Sequence, residues 1–269
     1  MKLITFINHA YVDIARNLYI QLKNVNLHKN LTIYTVSKLA YDSVVSLKLD
    51  CEVKLYKPML CKDLFNEGLN YDDGRRDVEF AIQQFLKYDC FYQEVLNQEF
   101  VCLLDADILV FEDFTNDIKI LMNRTTKFES KSVSNFAFKY YLNVNIFCKD
   151  IESPKLYSWS GIHQIINSGF VVARQSDQTF NAMVDCYKHF VPHIGKSSCN
   201  TEEQVLTTYF ADNRYDICSI PDSIHMLNDS GCIYSPDEAR KLHCKTFHPT
   251  FIWKKEKIDY IKKIRMWFI

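Results

Sequence analysis

Five apolar residues, Phe100-Val101-Cys102-Leu103-Leu104, stop at Asp105-Ala106-Asp107, and the apolar run resumes as Ile108-Leu109-Val110-Phe111. An unalternated run of this length reads as a strand buried on both faces, the pattern of a parallel sheet covered by helices. Burying a carboxylate is costly unless a cation meets it. Asp105 and Asp107 are therefore expected where the strand leaves the core. In extended chain, residues two apart point to one side, so both carboxylates could reach one ion. Hard oxygen ligands suit manganese or magnesium, ions that commonly bridge to phosphates. The plainer alternative is a strand end carrying two solvated acids.

The rest of the chain supports an α/β reading. Leu3–Ile7 is a short apolar strand ending at Asn8-His9-Ala10-Tyr11. Val12, Ala15, Leu18, Tyr19 and Leu22 then recur at helical steps. Strands follow at Leu31–Val36 and Cys51–Tyr56, with a short helix around Val44–Leu47 between them. This alternation is a βαβ beginning. Residues 57–74 read as a loop. A long amphipathic helix carrying Val78, Ile82, Phe85 and Val95 on one face then feeds the strand at Phe100–Leu104. A helix is expected over 115–123. The segment 124–162 is polar with scattered aromatics and reads as an irregular insertion or an acceptor-side wall. Ile165–Ala173 reads as a strand broken by a tight polar turn at Asn167-Ser168-Gly169. Helices are expected over 177–190 and 202–210, a strand over 216–220, and a basic helix from Trp253 to Ile269. With no repeat and no linker, the 269 residues read as one domain.

Composition removes several function classes. A formal net charge of -1 gives no electrostatic case for nucleic acid. The chain has only 6 glycines and lacks G-x-G-x-x-G and Walker patterns, so phosphates would be held by metal, lysine or scattered amides. Ten cysteines without a C-x-x-C pair argue against zinc ribbons and redox motifs; Cys51, Cys102 and Cys148 read as small core residues. A reducing, cytoplasmic setting is expected. The start of the chain turns polar too soon for a signal peptide, and no run reaches the length of a spanning helix.

Four stations stand in order: Asp105-Ala106-Asp107 after a buried strand, Asn167-Ser168-Gly169, Glu203-Gln204, and His248 with Lys254 six residues on. Together they resemble the GT-A nucleotide-diphospho-sugar glycosyltransferases, specifically the retaining glycogenin and bacterial galactosyltransferase group. The resemblance covers residues 3–112 and 163–258. It implies a single-domain, Rossmann-like α/β fold with a mixed, mostly parallel sheet flanked by helices. Residues 1–112 would form the nucleotide-binding half, 113–258 the sugar and acceptor half, and 259–269 a basic tail.

The resemblance also implies roles. Asp105, Asp107 and His248 would hold Mn2+ or Mg2+. Lys254 would neutralise the leaving phosphate, and Lys87, with Arg75 and Arg76 as rivals, would contact donor phosphate or sugar. Asn8 and Tyr11 match base-binding positions. Asn167, Ser168 and Gly169 would meet the sugar hydroxyls. Glu203 and Gln204 would face the anomeric centre, although the family has Asp at the first of these. The implied donor is a UDP-sugar and the acceptor a glycan, protein or lipid. The chemistry fits independently, because a departing nucleoside diphosphate needs a divalent Lewis acid to hold its developing charge.

Two other functions fit part of this pattern. A two-metal phosphoryl or nucleotidyl transferase could use Asp105 and Asp107 with Asp113, but the triphosphate loop is absent. A GT-A-like scaffold without turnover could bind sugar or a partner. The tail alternates Lys254, Lys255, Lys257, Lys262, Lys263 and Arg265 with Ile258, Ile261, Ile264, Trp267 and Phe268. Such a helix either docks on its own domain, the preferred expectation, or lies on an anionic membrane.

Overall fold

The computed structural model of the chain describes residues 1–66, 78–123, 134–142, 164–191, 217–228, 235–250 and 254–269. Three parallel strands open it: β1 (Lys2–Ile7), β2 (Leu31–Thr35) and β3 (Glu52–Leu55). Between them lie α1 (Val12–Asn24) and α2 (Lys38–Ser46), the latter capped by the Ser37 side chain accepting from Ala40 N. The long helix α3 (Val78–Val95) leads into β4 (Phe100–Leu104), which pairs parallel to β1. Beyond β4 come β5 (Leu109–Val110), α4 (Thr115–Met122), β6 (Phe136–Leu142), β7 (Gln164–Arg174) and α5 (Asp177–Phe190). The last described elements are β8 (Ile217–Ser219), β9 (His225–Leu227), α6 (Pro236–Lys241), β10 (Thr246–His248) and α7 (Lys254–Lys263).

The main sheet has seven strands in the order β3-β2-β1-β4-β7-β6-β8, antiparallel only where β7 meets β4 and β6. All five residues of β4 are buried, and strand alternation sends them to two cores. Val101 and Leu103 join Phe85, Leu86, Phe91, Met183 and Cys186 from α3 and α5. Phe100, Cys102 and Leu104 join Ile14, Leu18, Ile118 and Met122 from α1 and α4 on the other face. Each fully buried Leu, Ile or Phe contributes roughly 1.5–3 kcal/mol, so two helical layers on one sheet are the main source of stability.

The described part of the segment 124–162 is regular. Its β6 portion is a sheet strand with Phe136 and Ala137 buried, so the irregular-insertion reading fails there; residues 124–133 and 143–163 lie outside the described part. The polar Asn167-Ser168-Gly169 step is also not a turn. Strand β7 runs on through it, but the register against β6 jumps, Phe138 facing Val171 while Lys139 faces Asn167. Ser168, Gly169 and Phe170 are extra on that side. A bulge of this kind re-aims side chains without ending the strand.

A second sheet, β5-β10-β9, holds three short strands with β10 in the middle. A third core, including Leu109, Met226, Phe247 and Ile261, lies between it and α6 and α7. Helix α6 was not expected. Its Ser235 and Glu238 form a reciprocal capping box with Pro236 in the first turn. The tail does dock. Asn17, nearly fully buried in α1, donates through Nδ2 to Met266 O (3.0 Å) and accepts from Phe268 N (2.9 Å). Ile261 is fully buried and Ile258, Ile264 and Trp267 are partly buried, so the apolar face of the tail packs on the protein. Among the described residues, no helix is long and apolar enough to cross a membrane. The seven described cysteines are all free; Cys102 is fully buried, Cys51 sits at the margin of a core, and Cys148 lies outside the described residues.

Candidate metal centre

Asp105 and Asp107 lie where the chain passes from the main sheet to the small one. Strand β4 ends at Leu104 and β5 begins at Leu109. The link is a turn rather than extended chain, with Ile108 N donating to Asp105 O at 3.2 Å. The expectation that strand alternation would align the two carboxylates is therefore corrected. They converge because the turn wraps them around one point. Asp105 is anchored from the other side, its N donating to Gly169 O at 2.7 Å.

His248 closes the group from β10. Its Nε2 is 3.2 Å from Asp107 Oδ1 and 3.7 Å from Asp105 Oδ2. Among the described residues, Asp105, Asp107 and His248 each bring one ligand atom within 4.8 Å of the others, a group able to hold a metal ion. The imidazole is oriented. Asn167 Oδ1 accepts from Gly169 N (3.1 Å), which fixes it as the oxygen of the amide, and lies 3.4 Å from His248 Nδ1. An oxygen there can only accept, so Nδ1 is the donor and the Nε2 of a neutral ring presents its lone pair to the carboxylates. Three lone pairs aimed at one point repel unless a cation sits among them. This is a donor set able to hold a metal ion, with the ring fixed by an outer hydrogen bond. Two carboxylates and one imidazole suit manganese or magnesium.

The bulge in β7 is what lets the ring approach. A β-carbon on Gly169 would lie 2.3 Å from His248 Cε1 and 2.6 Å from Nδ1. Glycine fits here because the His248 ring packs directly on its backbone, in the space a β-carbon would fill.

Two lysines complete the electrostatics. Lys87 of α3, 5 % exposed, places Nζ 3.1 Å from Asp105 Oδ1 and 3.3 Å from Ser168 Oγ. Lys257 of α7, 7 % exposed, forms an ion pair with Asp107 Oδ2. Each carboxylate thus gives one oxygen to a lysine and turns the other toward His248. Burial alone would push the Asp107 carboxyl up, but the Lys257 ammonium holds it well below the usual carboxylate range.

Lys257 was not singled out in the sequence. The residue expected beside the phosphate was Lys254, which opens α7 and whose side chain lies outside the described residues. A signal existed, since the stripe Ile264 and Ile261 continued back one turn lands on Lys257. Asn8 sits at the C-terminal end of β1 and donates through Nδ2 to Gln83 Oε1 at 3.4 Å. Gln83 lies one turn before Lys87 on α3, so that helix links the β1 end to the Asp pair. Tyr11 is half-buried and packs against the core on the α1 face. Arg75, Arg76, Glu203 and Gln204 lie outside the described residues.

The parallel strands β1, β2, β3 and β4 all end at the edge that carries Asn8 and Asp105. Ligands of open α/β sheets bind beyond that edge. Solved structures share this architecture. An active-site mutant of LgtC superposes with a TM-score of 0.58 at 10 % identity, over 98 % of this chain and 96 % of that one. The fold is that of the GT-A glycosyltransferases. The GT-A match extends to mouse xyloside xylosyltransferase 1, with a TM-score of 0.54 at 12 % identity over 93 % of this chain and 97 % of that one. It extends also to the bifunctional glycosyltransferase WbbM, at 0.57 and 10 % identity, where 99 % of this chain spans 51 % of that one. The sequence itself matches no family model and no curated protein, so the GT-A likeness is carried by three-dimensional structure.

Proposed function

We propose that this protein is a metal-dependent glycosyltransferase that moves a hexose or pentose from a UDP-sugar to a glycan, protein or lipid acceptor, with retention of anomeric configuration. The observation that carries the reading is the convergence of Asp105, Asp107 and His248 at the ligand-binding edge of a GT-A sheet. Bound there, Mn2+ or Mg2+ would supply Lewis-acid stabilisation of the departing diphosphate. The protein's own groups do the rest. Asp105 Oδ2, Asp107 Oδ1 and His248 Nε2 form the ligand triangle, and Asn167 holds the imidazole in the ligating tautomer. Lys87 and Lys254 bind phosphate oxygens. Asn8 and Tyr11 take the base, and Ser168 and the Gly169 backbone orient the sugar. Glu203 and Gln204 face the anomeric carbon and stabilise its positive charge. Of the similar structures, one is a galactosyltransferase bound to donor and acceptor sugar analogs and another is a xylosyltransferase, which supports a hexose or pentose here. We assign the protein to the cytoplasm. Its membrane contact, where it occurs, is peripheral and made by the basic side of the tail.

The test is release of nucleoside diphosphate from a panel of UDP- and GDP-sugars, with Mn2+ and with chelator, by the native protein and by Asp107→Ala. Metal-dependent release from one donor, lost in the variant, is expected. Donor binding without turnover, against any acceptor tried, would favour a sugar-binding scaffold. Absence of donor binding would overturn the reading.

A further inference from the structure

Among the described residues, the two carboxylates of the metal triangle and the two lysines bonded to them sum to zero charge before any ion arrives. Asp105 and Asp107 contribute two negative charges; Lys87 sits on the far oxygen of the first and Lys257 on the far oxygen of the second. Both lysines and Asp107 are almost fully buried, so solvent screens these pairs weakly. A divalent cation entering this triangle meets carboxylates whose charge is already offset. It must also sit close to two ammonium groups in a poorly screened site. A diphosphate changes that balance by bringing the negative charge the site lacks.

Resting on the metal reading above, we propose that Lys257 attenuates the metal site, so that a divalent cation is held firmly only together with a nucleoside diphosphate. The lysine is well placed for this. It lies on the face of α7 that carries fully buried Ile261, and the chain just beyond α7 is pinned to α1 through Asn17. Lys257 is therefore a fixed charge rather than a surface side chain free to swing away. It also gives the metal and the diphosphate a reciprocal coupling, because each makes the other's binding more favourable.

The experiment separates charge from orientation. Mn2+ affinity is measured by titration calorimetry, and by the electron paramagnetic resonance signal of free Mn2+, on the full chain, on Lys257→Gln and on Lys257→Met. Glutamine keeps a hydrogen-bond donor toward Asp107 but removes the charge, and it carries the test where methionine destabilises the fold. Without nucleotide, Lys257→Gln is expected to bind Mn2+ about tenfold more tightly than the native protein. The increase in Mn2+ affinity caused by saturating UDP or GDP should shrink in the same variant. A lysine with only a structural or orienting role would leave Mn2+ affinity equal or weaker on substitution, and that result overturns the proposal while leaving the metal centre standing. Failure of native and variant proteins alike to bind Mn2+, with or without nucleotide, overturns both the proposal and the metal reading.

Discussion

Gly169 and His248 are in direct contact across the two sheets, and the space between them leaves no room for a methyl group. An added β-carbon would stand 2.3 Å from His248 Cε1, and the backbone of Gly169 cannot retreat because its carbonyl accepts from Asp105 N. Gly169→Ala should therefore push the imidazole off the triangle, at a cost of about 1–3 kcal/mol in stability. The check is thermal melting together with Mn2+ titration in the presence of UDP. A melting temperature lowered by several degrees, with a single cooperative transition retained and Mn2+ binding reduced about tenfold or more, is expected. Unchanged Mn2+ affinity would show that the ring does not serve as a ligand.

Asn167 acts on the same ring from its other side. Asn167→Ala removes the acceptor for His248 Nδ1 and for Gly169 N, leaving the tautomer unset. Metal affinity should fall by about 10–100-fold, as for other outer partners of ligating histidines. Asn167→Asp retains the acceptor and should restore most of it. Equal affinity for native, Ala and Asp forms would exclude the orienting role.

Asp89 is fully buried and organises the loop after β3. It accepts from Tyr56 Oη (2.7 Å) and from the backbone N of Met59, Leu60 and Cys61 (2.9, 3.0 and 3.0 Å). Burial, followed by Asp89 itself, pushes the Tyr56 phenol far up, so the hydroxyl stays a donor. Asp89→Ala strands these donors and should destabilise the protein by about 3–5 kcal/mol. Hydrogen exchange at residues 56–61 should accelerate more than exchange in β1 or β4. Uniform acceleration would indicate a general loss of stability instead.

Glu52 ties β3 to β1 and β2. It accepts from Lys2 Nζ at 2.8 Å and from Thr32 Oγ1 at 2.7 Å. Partial burial opposes ionisation, but these bonds prevail and bring the carboxyl down from 4.5 to about 2. The folded state holds the proton less tightly than the unfolded chain. The stability gained is therefore complete above about pH 4.5 and disappears as pH falls toward 2. The gap in urea midpoint between native protein and Glu52→Gln should close over that interval. Glu52 is half-exposed, so the gap is small. A gap independent of pH would mean that the carboxylate charge contributes nothing.

Much of the first part of the main sheet was legible because its signals are local. The unalternated run Phe100–Leu104 announced a strand covered on both faces, and the stripe from Val78 to Val95 announced α3. Elements defined by partners distant in sequence were less so. Strand β6 is embedded in polar flanks, and its place between β7 and β8 is decided by pairing. Strand β9 is three residues long, too short for any periodicity. The site divides in the same way. Asp105, Asp107 and His248 carry chemistry in their side-chain types. The turn that brings the acids together, the bulge that admits His248 and the choice of Lys257 among the lysines of α7 depend on contacts between segments 60 to 150 residues apart, such as Lys257 with Asp107. Ser235-Pro236-Asp237-Glu238, by contrast, carries a helix start in its residue types alone, a capping box with proline in the first turn.

The seam between the two sheets has a consequence for how the protein is made. The carboxylates leave the ribosome early, on the strand that centres the main sheet. Their histidine and one of their two lysines follow about 140 to 150 residues later, an interval of roughly ten seconds or more at ordinary synthesis rates. During that time the nascent main sheet carries two acids at its edge without His248 or Lys257. Closure of the small sheet, with β10 sliding in between β5 and β9, supplies both at once. The full donor set is therefore assembled late in biosynthesis, and a ribosome-bound chain stalled before residue 248 should hold the first strands of the main sheet yet bind Mn2+ in the presence of UDP more weakly than the released chain.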